Sequence, residues 1–379
     1  MITPEENLRL TQVGPGTPGG EMLRRYWWPV AFGDELRGDV PKVVELLGEE
    51  FVLFRDGRGQ VGMLEPRCAH RGVKLAYGRV EDCGIRCCYH GWAYDVTGQC
   101  VDQPCEPAES TYKEHIRRRA YPLQELAGFV FAYIGPEPAP LLPRYDLLDR
   151  EDGVRTLWAF VDHCNWVQSA ENACDQAHLA WLHAGTYPDM AGKRPRLDWE
   201  RTSYGVRALT YVPGLAQPKV SCMMFPSANR FTSARNNDVG NHRADGPRHN
   251  ILYRVPLDDS RTLNMFLLFT PTADGKLVQH TDGVKPTERG VYDQIADGWW
   301  RVDTDDQDRV ALEQQGMVAD RSEEHLASSD RGLILFRAIL NESLQAVAEG
   351  RDPFGVIRDP AANRLITFDA SMNELAALV

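Results

Sequence analysis

No stretch of this 379-residue chain approaches the ~18 uninterrupted apolar residues of a membrane-spanning helix, which excludes a transmembrane class. The N-terminus carries Glu5, Glu6 and Arg9 with no apolar core behind them and does not read as a secretion signal. No sustained basic stripe offsets a formal net charge of −12, so a nucleic-acid partner is not expected. Arg117-Arg118-Arg119 is too short for one and reads as a solvated edge. A working dinucleotide fingerprint is also missing. Gly14-Pro15-Gly16-Thr17-Pro18-Gly19 matches G-x-G-x-x-G by letter, yet no strand precedes it, two prolines interrupt it and no βαβ unit surrounds it. It reads as a turn feeding a helix over Glu21 to Trp27. Internal repeats are absent. A soluble, cytoplasmic protein without its own nicotinamide site is the expectation.

What the chain does have is length for two domains and ordinary globular proportions, 43% hydrophobic and 25% charged. Residues 3 to 12 have roughly helical spacing. From Trp28 to about Gly135 the pattern becomes short strands and turns: Val43–Leu47, Glu50–Phe54, Val61–Leu64, Trp92–Asp95 and Phe129–Ile134. That region reads as a small all-β domain. Pro136, Pro138, Pro140 and Pro143 make a stiff linker after it. Beyond lie a helix around 165–183, strands at Gly205–Val212, Lys219–Phe225, Ile251–Val255 and Leu263–Phe269, and helices near 287–316 and 322–349. The order suits an α+β class, a helix-flanked antiparallel sheet. Residues 235–248 are polar and Gly-containing and read as a mobile loop at a pocket mouth.

Nine cysteines without a secretion signal do not make a disulfide scaffold, but six of them crowd between positions 68 and 105, which suggests metal ligation. Cys68-Ala69-His70 and Cys87-Cys88-Tyr89-His90 supply one Cys and one His from each of two loops. This is the ligand set of a Rieske [2Fe–2S] centre, in which His replaces Cys on one iron. A structural Cys2His2 zinc site is the rival, although zinc fingers pair Cys with Cys and His with His. Gly72 and Gly91 free backbone N–H groups near the sulfurs. Cys83, Cys100 and Cys105 read as small hydrophobes.

A second cluster lies in Glu171-Asn172-Ala173-Cys174-Asp175-Gln176-Ala177-His178-Leu179-Ala180-Trp181-Leu182-His183, which has no Gly or Pro until Gly185. On a helix at about 100° per residue, Asp175 and His178 share a face, whereas His183 converges only if the helix end loosens. Two nearby His and a distant carboxylate are the facial triad of a ferrous site with open positions for oxygen. Two satisfied core histidines are the bland alternative.

These two motifs, with the opening Gly14 to Pro18 and Arg24-Arg25-Tyr26-Trp27 and the late segment Asp320 to Leu326, make the chain resemble the oxygenase (alpha) component of the Rieske non-haem iron ring-hydroxylating oxygenases. It looks most like the phthalate dioxygenase-like branch. The resemblance implies an all-β Rieske domain over 28–140, a catalytic mononuclear iron domain over 141–379 and an N-terminal helical segment, 1–27, packing on the catalytic domain. It implies [2Fe–2S] ligands Cys68, His70, Cys87 and His90, and mononuclear Fe(II) ligands His178, His183 and Asp308, the last preferred to Asp306. Asp305 and Asp306 are better placed as helix caps. Asp175 would then be an electron bridge from a neighbouring subunit's cluster His, not a ligand, and a homotrimer or stacked trimers follow. O2 is the implied cosubstrate. NAD(P)H serves only through a partner reductase with flavin and plant-type ferredoxin domains. The implied reaction hydroxylates an aromatic carboxylate of phthalate or benzoate type, with O- or N-demethylation or aryl-ether cleavage as the alternative. A Rieske electron carrier without oxygenase activity is the reading of another class. Expected substrate contacts are Asn172, Arg207, Asn264 and Trp299.

Overall fold

A computed structural model describes residues 2–233, 238–239, 242–243, 248–287 and 304–368. The backbone divides into two compact units, Arg24–Ala139 and Met1–Leu23 with Pro140–Val379. Arg24 to Trp27 thus belong to the smaller unit and not to the N-terminal segment: Arg24 pairs with Glu49 at 2.6 Å and the Trp27 ring packs 5.6 Å from Tyr133.

The smaller unit is all β. Strand β1 (Trp28–Phe32) pairs with β10 (Phe129–Ala132), and β10 with β9 (Leu123–Leu126). A meander joins β2 (Lys42–Leu46), β3 (Glu49–Arg55) and β4 (Val61–Leu64). A third ladder joins β5 (Arg79–Glu81), β6 (Gly84–Arg86), β7 (Ala93–Tyr94) and β8 (Cys100–Asp102). Val52, Phe54, Leu64, Leu75, Ile85, Trp92 and Tyr94 make its core and enclose Cys68 and Cys87. The expected helix over 21–27 is shorter. It runs as α2 (Pro18–Leu23), after α1 (Pro4–Thr11), and the chain enters β1 at Trp28, where Pro29 disfavours helical geometry for the residue before it.

The larger unit is built on one eight-stranded sheet. Its order is β12 (Arg196–Arg201), β13 (Gly205–Tyr211), β14 (Lys219–Met224), β15 (Ala228–Ser233), β18 (Arg248–Pro256), β19 (Thr262–Pro271), β11 (Gly153–Asp162) and β20 (Val278–Val284). All neighbours run antiparallel except β11 and β20 at one edge, which are parallel. Two short strands, β16 (Asp238–Val239) and β17 (His242–Arg243), pair with each other inside the expected loop; its residues 235–237, 240–241 and 244–247 lie outside the described residues. Helices are α3 (Asp146–Asp149), α4 (Trp166–Asn172), α5 (Thr304–Glu313) and α6 (Arg331–Ala348). The expected helix near 287–316 is described only as α5, and the one near 322–349 starts later, as α6.

Side-chain alternation along the strands decides what the sheet offers the site. Trp158 on β11, Leu252 and Arg254 on β18, Phe266 and Leu268 on β19, and Asn229 and Phe231 on β15 all line the same cavity. Trp158 and Phe266 stack with ring centroids 4.4 Å apart at 8°.

The largest departure from expectation concerns the helix over 165–183. Asn165 caps its start by accepting from the Val167 N–H, but α4 stops at Asn172. Tight turns follow, with Asp175 N–H donating to Asn172 O and the Asp175 carboxylate accepting the Ala177 N–H at 2.8 Å. That local bond competes with the helix ladder, and a short 3-10 turn, His178–Ala180, replaces it. Helix α6 abuts this turn so closely that a Cβ on Gly332 would lie 2.3 Å from Cys174 O.

Candidate metal centres and substrate pocket

In the smaller unit the two Cys–His loops fold alike. Cys68 O accepts the Gly72 N–H at 3.0 Å, and Cys87 O the Gly91 N–H at 3.1 Å; both glycines have positive φ, 76° and 73°. The Cys68 and Cys87 thiols are buried and within reach of each other. Backbone N–H groups of Tyr89 and His90 point at Cys87 Sγ, and the Tyr94 hydroxyl lies 3.2 Å from Cys68 Sγ. His70 is exposed and His90 half-buried, their rings 4.4 Å apart, with Trp92 stacked on His70 at 4.5 Å. Sulfurs inside and imidazoles outside suit a two-iron cluster, with hydrogen bonds to sulfur available to tune its potential. Among the described residues these four side chains do not crowd into one tight set, as a single tetrahedral zinc would require.

In the larger unit one set does converge tightly. Ligand atoms of His178, His183 and Asp308 lie within 4.8 Å of one another. The 3-10 turn brings in His178, the turn after it His183, and α5 Asp308. His183 Nε2 is 3.0 Å from Asp308 Oδ1, and His178 Nε2 is 3.7 Å from the same oxygen. Each ring is bracketed by oxygens: His183 Nδ1 faces Gln307 Oε1 at 2.9 Å and His178 Nδ1 faces Asp175 Oδ2 at 3.3 Å. A neutral imidazole carries one N–H and cannot satisfy acceptors on both sides, so each ring here takes either a second proton or a cation at Nε2. Burial pushes the Asp308 carboxyl up, but the His183 hydrogen bond, the two imidazole charges and an N–H from Asn172 hold it below its ordinary value. Burial pushes His178 down; Asp175 and Asp308 outweigh it and raise the imidazole. A divalent metal fits these donors.

The triad opens into a cavity of about 140 Å³, lined by Trp158, Phe231, Leu252, Phe266, Asn172 and Arg254 among others. That is close to the roughly 150 Å³ known to accommodate benzene.

The expected substrate contacts divide. Asn172 lines the cavity and donates to Asp308 Oδ1 at 3.1 Å. Arg207 does not line it: the side chain donates to Glu200 Oε2 at 2.9 Å across the β12–β13 ladder, where the opposite charge is directly cross-strand. Asn264 is buried and donates to Asp162 Oδ2 at 2.6 Å, satisfying a buried carboxyl, not a substrate. Trp299 lies outside the described residues. Asp306 pairs with Arg309 at 2.9 Å. Sequence reasoning missed Arg254, Arg248, Gln307 and Asp162. The signal was available for Arg254, a lone charge inside the apolar run Ile251 to Val255.

Comparison with known proteins gives the family. Residues 26–118 match the Rieske [2Fe-2S] domain family, and residues 163–346 the vanillate O-demethylase oxygenase C-terminal domain. The 5,5'-dehydrodivanillate O-demethylase oxygenase subunit of Sphingobium sp. (strain NBRC 103272 / SYK-6) is 34% identical over 97% of this chain and 86% of its own length. The phenoxybenzoate dioxygenase subunit alpha of Ectopseudomonas oleovorans is 36% identical over 92% of this chain and 87% of its own. The solved structure of NdmA from Pseudomonas putida CBB5 superposes with a TM-score of 0.67 at 22% identity, covering 90% of this chain and 98% of NdmA. The chain belongs to the Rieske non-haem iron oxygenases, as an oxygenase (alpha) component.

Proposed function

We propose that this chain is a terminal oxygenase that takes electrons from a separate NAD(P)H-dependent reductase and uses O2 to oxygenate an aromatic carboxylate of phthalate or benzoate type. The observation that carries the reading is the pocket itself. A ring-sized cavity joins the open side of His178, His183 and Asp308 to an aromatic floor, Trp158 and Phe266, with Arg248, Arg254 and Lys219 also lining it. Aromatic walls select a flat ring, and Arg248 is the lining side chain assigned to an anionic group, since Lys219 pairs with Asp189 at 2.9 Å and Arg254 with Ser169, Asn229 and Asn172. Arg248 takes the role that the sequence had suggested for Arg207.

A [2Fe–2S] cluster on Cys68, His70, Cys87 and His90 and a ferrous ion on His178, His183 and Asp308 would supply one-electron storage and oxygen activation. The protein's own part is to hold and orient. Trp158 and Phe266 fix the ring plane. Gln307 and Asp175 hold the two imidazoles by their Nδ1 sides, leaving Nε2 toward the metal position. Asp175 also keeps a third of its side chain exposed, which supports its role as a bridge to the cluster histidine of a neighbouring subunit in a trimer.

Cleavage of an aryl ether, including O-demethylation, is the second reading, favoured by the match of residues 163–346 to the vanillate O-demethylase domain. Single turnover of the iron-loaded, reduced protein under labelled O2 tests both against a panel of benzoates, phthalates, phenoxybenzoates and methoxybenzoates. Labelled product from a carboxylated ring is expected. A colourless, zinc-only protein, or turnover confined to rings without an anionic group, would refute the proposal.

A further inference from the structure

Behind Asp308 lies a buried cation that neither metal centre requires. Arg254 is 3% exposed, on β18, and lines the cavity. Burial lowers its pKa to about 10, opposed by the charges of Asp308 and Asp162, so it remains a cation at neutral pH. Such a group beside a metal position is costly, and its contacts say what it does there. Arg254 Nε donates to Ser169 Oγ at 3.1 Å, Nη1 to Asn229 Oδ1 at 2.8 Å and Nη2 to Asn172 Oδ1 at 3.5 Å. Asn172 in turn donates through Nδ2 to Asp308 Oδ1 at 3.1 Å. On the far side, Ser169 Oγ is 3.5 Å from both Asp162 Oδ2 and Asn264 Oδ1.

We infer that Arg254 is a positioning residue for the mononuclear site, setting the Asn172 amide and, through it, the rotation of the Asp308 carboxylate. Guanidinium is donor-only, and a carboxylate is acceptor-only. Between them the amide has one satisfactory orientation: oxygen toward Arg254, NH2 toward Asp308. The reverse sets donor against donor and acceptor against acceptor. Ser169 and Asn229 hold the guanidinium plane from two further sides, so the orientation is inherited from the sheet and α4, not from the metal. Lysine would preserve the charge but cannot reach three acceptors in a plane.

Because the effect runs to Asp308, it rests on reading His178, His183 and Asp308 as a metal site, and the test separates the two. Co(II) binding to protein freed of its mononuclear metal, with the cluster retained, is measured by chelator competition, with the Co(II) visible spectrum as a second readout. His183→Ala serves as the control for the site. Wild type is expected to bind one Co(II) that His183→Ala abolishes. Arg254→Met, Arg254→Lys and Asn172→Leu should each weaken it by about 10–100-fold, the range for groups that orient ligands. The double variant Arg254→Met with Asn172→Leu should be no weaker than Asn172→Leu alone, because the two residues act in series. Ser169→Ala, a milder change that leaves the fold and the cluster absorbance intact, should give a smaller loss and an altered Co(II) spectrum, also absent in the Asn172→Leu background. Arg254→Lys behaving as wild type, additive losses in either double variant, or an unchanged Ser169→Ala spectrum would overturn the inference alone. A wild type without a His183-dependent Co(II) site would overturn the metal-site reading as well.

Discussion

Asp162 ends β11 with its carboxyl buried at 3% exposure, and its replacement by Asn yields the sharpest stability test in the molecule. Burial is the main cause that raises its pKa to about 7, helped by the charge of Glu313 and opposed by Asn264, Arg254 and Arg309. In the unfolded chain the group has its ordinary value of 3.8. The folded state therefore holds a proton that the unfolded state has already released. The contribution to stability is fully present below the unfolded pKa and is lost as pH rises through the folded one. Between about pH 4 and 7 wild type should lose about 1.4 kcal/mol per pH unit relative to Asp162→Asn, and roughly 4 kcal/mol in all. Above pH 7 the difference should level off. Asparagine is the right comparison because it mimics the protonated carboxyl and still accepts from Asn264. Urea midpoints of the two proteins across pH 5 to 8, at constant metal occupancy, give the difference directly; other titrating groups cancel in it. A flat difference would mean that Asp162 is ionised in the folded protein, and the account of this buried carboxyl would be wrong.

Two further outcomes are expected. Glu171 is a buried carboxylate that accepts from Arg321 at 3.2 and 2.8 Å and from Arg337 at 2.6 Å, tying α4 to α6; Glu171→Gln takes from buried Arg321 the carboxylate it pairs with, while Arg337 keeps Glu324, and should cost about 3 kcal/mol by urea denaturation, whereas an unchanged midpoint would show the network to be dispensable. Asp175→Asn should keep the cluster absorbance and full iron content yet slow substrate-dependent cluster reoxidation by about 10–100-fold in stopped flow; normal reoxidation would remove Asp175 from the electron path.

Much of the site was legible because its residues are local in sequence. C-x-H and C-x-x-H carry their own loop geometry, and Asp175, His178 and His183 fall within nine positions, so spacing marks them as candidates and the family resemblance supplies their roles. The all-β character of the smaller unit was readable from short apolar runs broken by Gly and Asp. The strands β11, β12, β15 and β20 were not: β15 is Ala-Asn-Arg-Phe-Thr-Ser and β20 Val-Gln-His-Thr-Asp-Gly-Val, polar runs that become strands only by pairing with neighbours. The helix read over 165–183 failed for a related reason. Apolar spacing favours it, but the Asp175 side chain takes a backbone N–H that the helix would have used. That break is what lets His183 swing toward His178, which a continuous helix would hold on another face.

What the sequence by itself determined is the chemistry on offer: two Cys–His loops, a His pair and a carboxylate at Asp308 assigned through family resemblance. Which side chains surround that chemistry was decided only by tertiary structure. Arg207 and Arg254 look equivalent as single charges on two strands, β13 and β18, of the same sheet. Sheet pairing sets Glu200 opposite the first and neutralises it, while alternation along β18 turns the second into the cavity beside Asp308. Local spacing encodes ligands because chelation is short-range along the chain. A pocket gathers residues from β11, β15, β18, β19, α4 and α5, and no one-dimensional pattern records their meeting.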